Sequence, residues 1–215
     1  MRKTNLDLLR GIRFFTLGGV REARVEGEQI VGRWQGKVEW LYDRKGEQLA
    51  KAFANWKDIP AEIAVFTRRF GPLLNRATDE SPFRFSVQEW RERQNSFRTM
   101  WEAWAGIPTG TERQTTLVVE SGEQLIHRKT GMYYRTSNLH RLMLFSLAAI
   151  PTIRLRKCPR PGCASPYFLA RHLNQSYCSK LCADWAQKQW KKEWWEHNKK
   201  AELKKRKRLR RKKGR

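Results

Sequence analysis

The 215-residue sequence predicts an α+β protein: a mixed N-terminal domain over residues 1–150, a four-cysteine module with a helix over 151–198, and a basic tail over 199–215. Three observations predict it. Apolar residues recur with both helical and strand periods through the first 150 positions. All four cysteines, Cys158, Cys163, Cys178 and Cys182, fall within 25 residues of one another. Charge is also strongly asymmetric. Lys and Arg number 45 against 21 Asp and Glu, a net +24, and from Pro151 onward there are 21 basic and four acidic residues, so +17 sits in the last 65 positions. A hydrophobic fraction of 40%, with ten Trp and ten Phe, supports a real core and argues against wholesale disorder.

In chain order, 7–15 has the pattern of a short helix. Residues 22–42 alternate around Gly27 and Gly36, with Val38, Trp40 and Tyr42 on one face, and predict a β-hairpin or meander. Leu49, Phe53 and Trp56 sit at helical spacing, as do Ile63, Phe66 and Phe70 after Pro60, with Gly71-Pro72 as the stop. Ser86 and Glu89 have capping-box spacing, and Val87, Trp90, Phe97, Trp101 and Trp104 continue the helix to Gly106. Short strands are expected at 115–120, 124–128 and 132–135, separated by Ser121-Gly122 and Thr130-Gly131. Ser137 is placed to cap a helix over 138–150, buried through Leu139, Leu142, Met143 and Ile150 and ended by Pro151.

The cysteines read C-x4-C-x14-C-x3-C. Two close pairs joined by a longer connector suit one tetrahedral ion, which needs four ligands converging at about 2.3 Å. Pro159, Pro161 and Gly162 favour a tight knuckle in the first pair. At the start of a helix, the i, i+4 spacing of the second turns both sulfurs to one side. Tyr167, Phe168 and Leu169 followed by 171–175 suggest a hairpin turning at Leu173-Asn174. Knuckle, hairpin and helix are the layout of a treble-clef finger, so one structural zinc on Cys158, Cys163, Cys178 and Cys182 is the expected cofactor. Four thiolates fill the shell and leave no place for a catalytic water. The 1–19 segment does not read as a signal peptide, and the longest apolar run, over 142–150, is about half of a bilayer span. A cytoplasmic, reducing setting is expected.

The segment RLRKCPRPGCASPYFLARHLNQSYCSKLC resembles the CGNR-type zinc finger and related bacterial zinc-ribbon proteins, over about residues 154–190. In that family a basic strand enters the first pair and an aromatic-Cys-Ser step opens the second. Upstream, 66–73 and the helix with Glu89-Trp90 are similar to the family's N-terminal region. The Cys-Gly-Asn-Arg tetrapeptide is replaced here by Cys182-Ala183-Asp184-Trp185, so no role of its Gly, Asn or Arg carries over. The resemblance implies a DNA-binding, regulator-like protein.

On a helix from Ser179 to about Glu202, Ala183, Ala186, Trp190, Trp194 and Ala201 share a stripe, expected to pack on the hairpin or the N-terminal domain. Lys180, Lys188, Lys191, Lys192 and Lys199 gather opposite, with Trp195 among them. The tail, expected to be disordered or loosely helical until bound, adds Lys204, Lys205, Arg206, Lys207, Arg208, Arg210 and Arg211. With Arg160, Arg171 and Asn174 of the finger, these are the candidate nucleic-acid contacts, through phosphate attraction and aromatic stacking. DNA is favoured over RNA as partner, a membrane is not expected because the tail lacks an apolar face, and homo-oligomerisation is left open. Two other classes compete: a nuclease using His172, His197 and Asn198, for which the spacing is poor, and a protein-interaction module. His127 and His140 are isolated, and no catalysis is expected.

Overall fold

A two-stranded ribbon is the spine of the larger sheet in the computed structural model, which describes residues 13–41, 43–73, 82–106, 124–128, 131–136 and 138–213. Strands β1 (Arg13–Glu26) and β2 (Gln29–Leu41) pair antiparallel from Glu26↔Gln29 to Phe14↔Leu41. The two-residue turn between them starts at Gly27, whose φ of 59° lies in the left-handed region that glycine enters without a Cβ clash. The hairpin of the two expected arrangements is therefore the one formed, and Gly36 lies inside β2 rather than at a turn.

β3 (Pro82–Ser86) extends β2 antiparallel, and β5 (Gly131–Arg135) runs parallel to β1 and antiparallel to β4 (Gln124–Arg128). The order is β3-β2-β1-β5-β4. The short helix expected over 7–15 is corrected where it is described: Arg13, Phe14 and Phe15 are strand paired with β5, and Phe14 and Phe15 also pair with β2, so their ladder is made from both sides. Residues 7–12, the strand expected over 115–120 and the Ser137 cap lie outside the described residues. β3 had no place in the sequence reading. Its two phenylalanines alternate (Phe85 buried, Phe83 half-buried), but five residues running straight into the Ser86 cap are too few to show a period.

Four helices cover this sheet: α1 (Asp43–Asn55), α2 (Pro60–Phe70), α3 (Val87–Ala105) and α4 (Leu139–Ala149). The Ser86 hydroxyl accepts the Glu89 N–H at 3.0 Å, as the capping spacing predicts. At α4 the Asn138 side chain accepts from the Arg141 N–H at 3.0 Å and supplies the cap. The helical stripes meet in a nest of aromatic rings. Phe53 lies 5.1 Å edge-on to Trp90 and 5.2 Å from Phe97, and Phe66 lies 4.8 Å from Trp90. Such edge-to-face pairs are each worth roughly 1 kcal/mol beyond burial.

A second, two-stranded sheet pairs β6 (Leu155–Lys157) with β7 (Tyr167–Leu169). This corrects the hairpin expected around Leu173-Asn174. β7 pairs backwards with the strand that precedes the first cysteine, and 170–179 is an irregular connection into α5 (Lys180–Lys213). The reason is burial: Leu155 and Tyr167 turn into the main core, which a local turn at 173–174 would not achieve. α5 runs through 198 and 199 without a break, so the tail is helical as far as Lys213.

Candidate metal centre and basic helix

The knuckle is the tip of the β6–β7 hairpin. The Cys158 N–H donates to the Pro166 carbonyl at 2.7 Å, and the Ala170 N–H to the Arg154 carbonyl at 2.7 Å, so the two strands clamp the loop between them. Within it the Cys163 N–H returns to the Arg160 carbonyl at 3.2 Å across Gly162, which has a φ of 67°. The second pair straddles the start of α5, where the Ser179 hydroxyl accepts the Cys182 N–H at 3.4 Å.

All four Sγ atoms lie within 4.8 Å of one another. Cys163 is 3.4 Å from Cys178 and 3.8 Å from Cys182, and Cys178 is 3.5 Å from Cys182. A tetrahedron with metal–sulfur bonds of about 2.3 Å has edges of about 3.8 Å, so these separations suit a single ion. The thiols are free, not disulfide-bonded. Cys158 and Cys182 are buried with Phe168 and Ala170, and Tyr177 packs against them.

Electrostatics distinguish the four. The Ser179 hydroxyl, helped by Cys178, Arg160 and Cys163, holds the Cys182 thiol down at about 6. Burial, followed by its sulfur neighbours, pushes Cys178 up to about 12, and burial also raises Cys163. A metal takes all four sulfurs as thiolates, so its binding releases the protons they carry.

The finger is fastened to the α+β domain by contacts that the sequence did not disclose. The Asn55 side chain, at the end of α1, donates to the Tyr167 carbonyl at 2.7 Å and accepts the Tyr167 N–H at 3.0 Å. It treats β7 as a neighbouring strand would. Arg154 forms a fork on Glu47 at 2.7 and 3.1 Å, and the Trp101 indole N–H donates to the Arg156 carbonyl at 3.1 Å. Glu102 receives the Tyr167 hydroxyl at 2.6 Å and the Lys157 ammonium at 2.8 Å; these donors, Lys157 first, hold its carboxyl below the usual range. Arg154 and Lys157, two of the basic residues entering the first cysteine pair, therefore bind acids of the domain. These partners lie 55 to 112 residues apart, beyond any local pattern.

Arg160 stands beside the metal centre, its guanidinium 6.0 Å from the Trp185 ring and 3.8 Å from the Cys182 sulfur. Arg171 and Asn174 are exposed on the connection and, with Lys180, Tyr177 and Lys51 of α1, line a groove of about 620 Å³. Lys51 was missed because it lies in a helix remote in sequence. Lys188, Lys191, Lys192, Lys199 and Lys204 are exposed along α5, and Trp195 is half-buried. Lys205, Arg206, Lys207, Arg208, Arg210 and Arg211 also lie on α5.

The expected packing stripe is corrected. Trp190 is 61% and Trp194 44% exposed, Ala183 and Ala201 are exposed, and Ala186 is half-buried. The finger's apolar residues Leu155 and Tyr167 pack into the domain core rather than against this face of the helix. His172 and His197 are exposed, His127 lies in β4, and His140 is buried in α4 beside Phe53.

No protein-family model, curated protein or solved structure matches the chain. Among the described residues no helix is long and apolar enough to cross a membrane.

Proposed function

We propose that the protein is a zinc-stabilised nucleic-acid-binding protein, DNA being the first polymer to test, with a regulatory role. The single observation that carries this reading is the uncovered helix α5, which leaves the four-cysteine centre with fifteen Lys and Arg against four Asp and Glu, a net +11. A polyanion neutralising such a helix releases many counterions, and phosphate backbones are its commonest source. Zinc is the natural occupant of four thiolates at these separations, and its role is structural because no ligand position stays open. A knuckle on its own hairpin followed by a helix supports the treble-clef reading. The resemblance to CGNR-type fingers, which rests on the motif residues, points the same way. No catalytic step is assigned: His140 is enclosed in the core, while His172 and His197 stand in solvent on separate elements.

A salt titration of DNA binding tests the reading. Full-length protein should lose affinity steeply with salt, and deletion of 199–215 should flatten log K against log salt while weakening all sequences alike. Alanine at Lys188, Lys191 and Lys192 should remove any sequence or shape preference but leave much of the salt-sensitive binding. Salt-insensitive binding, or no binding to DNA or RNA at low salt, would refute it.

A further inference from the structure

Two large indoles stand in water on the most strongly cationic element of the molecule. Trp190 and Trp194 are 61% and 44% exposed. At i and i+4 they share one face of α5, about 6 Å apart along the axis. Ala183 and Ala201, both exposed, continue that face at its two ends with little bulk, so the rings project beyond their surroundings. Exposed Lys191 flanks the face on one side and exposed Glu193 on the other, with exposed Lys204 about 15 Å farther along the axis beyond Trp194.

The occupant of this face has to be polyanionic, because the helix carries a net +11. It also has to offer flat apolar surfaces to the rings. A second copy of α5 brings the same charge and is repelled. An anionic bilayer requires a sustained apolar face, yet after Leu203 every position to Lys213 except Leu209 is Lys or Arg. Nucleobases meet both conditions when they are unpaired. In a duplex their faces are closed by neighbouring base pairs, whereas in a single strand they are free to stack on aromatic side chains.

We infer that Trp190 and Trp194 form a stacking platform for single-stranded nucleic acid, with Lys191 beside it and Lys204 farther along the helix to take the phosphates. The inference rests on the nucleic-acid reading above and narrows it to an unpaired stretch. Stacking is tolerant of base identity, so this platform contributes strand-state preference rather than sequence preference.

The test uses full-length, zinc-bound protein and measures anisotropy of labelled oligo-dT, alone and annealed to oligo-dA, at one fixed salt concentration. Wild type should bind the single strand more tightly than the duplex. The double substitution Trp190→Ala/Trp194→Ala should weaken single-strand binding by about tenfold or more and leave duplex binding within about twofold. Trp190→Phe/Trp194→Phe, which keeps a stacking ring, should retain most of the affinity. Alanine favours an exposed helix, and circular dichroism will show the fold intact. Equal affinity for the two probes, or single-strand binding unchanged in the alanine variant, would overturn the platform while leaving the nucleic-acid reading standing. Binding to neither probe would overturn the platform, and absence of binding to RNA at low salt as well would overturn the nucleic-acid reading. Tryptophan-dependent binding to phosphatidylserine vesicles, with oligonucleotide binding indifferent to the tryptophans, would assign the face to lipid and also overturn it.

Discussion

Replacing Asn55 by alanine should separate the finger from the domain that carries it. The substitution removes the bonds to the Tyr167 carbonyl (2.7 Å) and N–H (3.0 Å). Each bond contributes about 1 kcal/mol net, but Tyr167 is buried, so its backbone groups lose their partner without gaining water in full. The expected cost is about 2–4 kcal/mol, a large part of the roughly 5–15 kcal/mol that holds a domain folded. Unlike a core truncation, Asn55→Ala leaves no large cavity, because Asn55 is half-buried at a helix end. The assay is urea denaturation at saturating zinc, followed by tryptophan fluorescence for the aromatic nest and by thiol reactivity for the finger. In wild type the two signals should coincide. In the variant the cysteines should become reactive at lower urea than the nest requires to unfold. Asn55→Asp keeps an acceptor for the Tyr167 N–H but sets a carboxylate against the Tyr167 carbonyl, and should be at least as damaging. A loss below about 0.5 kcal/mol, with both signals still coincident, would refute the claim that this bidentate contact couples the two parts.

Cys178→Ser or Cys182→Ser should abolish stoichiometric zinc, read by elemental analysis, and unfold the finger, because structural zinc supplies folding energy directly. Metal-free wild type after reduction would contradict this. Gly162→Ala should speed zinc release several-fold in a chelator-competition assay, since a φ of 67° costs a side-chain-bearing residue roughly 1–2 kcal/mol although no atom obstructs the new methyl. His140 gives a pH signature. Burial, then the charges of Arg93 and Arg141, hold it at about 4 against an ordinary 6.5. The unfolded chain therefore takes up a proton that the native state refuses. The native state is fully stable above the ordinary value and loses stability as pH falls towards 4, by at most roughly 3 kcal/mol. His140→Gln should flatten that part of the curve relative to wild type, and an unchanged slope would assign the acid sensitivity elsewhere.

Local patterns were sufficient for much of this protein. The helices of the α+β domain were legible because Phe53, Ile63, Phe66, Trp90, Phe97 and Trp101 recur at the spacing that puts them on one side of a helix, and all six are buried. Ser86 and Glu89 marked a helix start, since capping is settled within four residues. The four cysteines were legible as one site because two short spacings restrict where sulfur atoms point, and their Sγ atoms do converge. What the tertiary structure decided was every choice between distant partners. β7 pairs with β6 and not with its own following residues, because that register carries Leu155 and Tyr167 into the larger core. Arg154 and Lys157, which read as a basic approach to the finger, are occupied by Glu47 and Glu102. The helical period of α5 shows which residues share a face, but not what lies against that face. A stripe of Trp and Ala has the same spacing whether it is packed or exposed, and here Leu155 and Tyr167 of the finger are buried against the domain while Trp190 and Trp194 stay exposed.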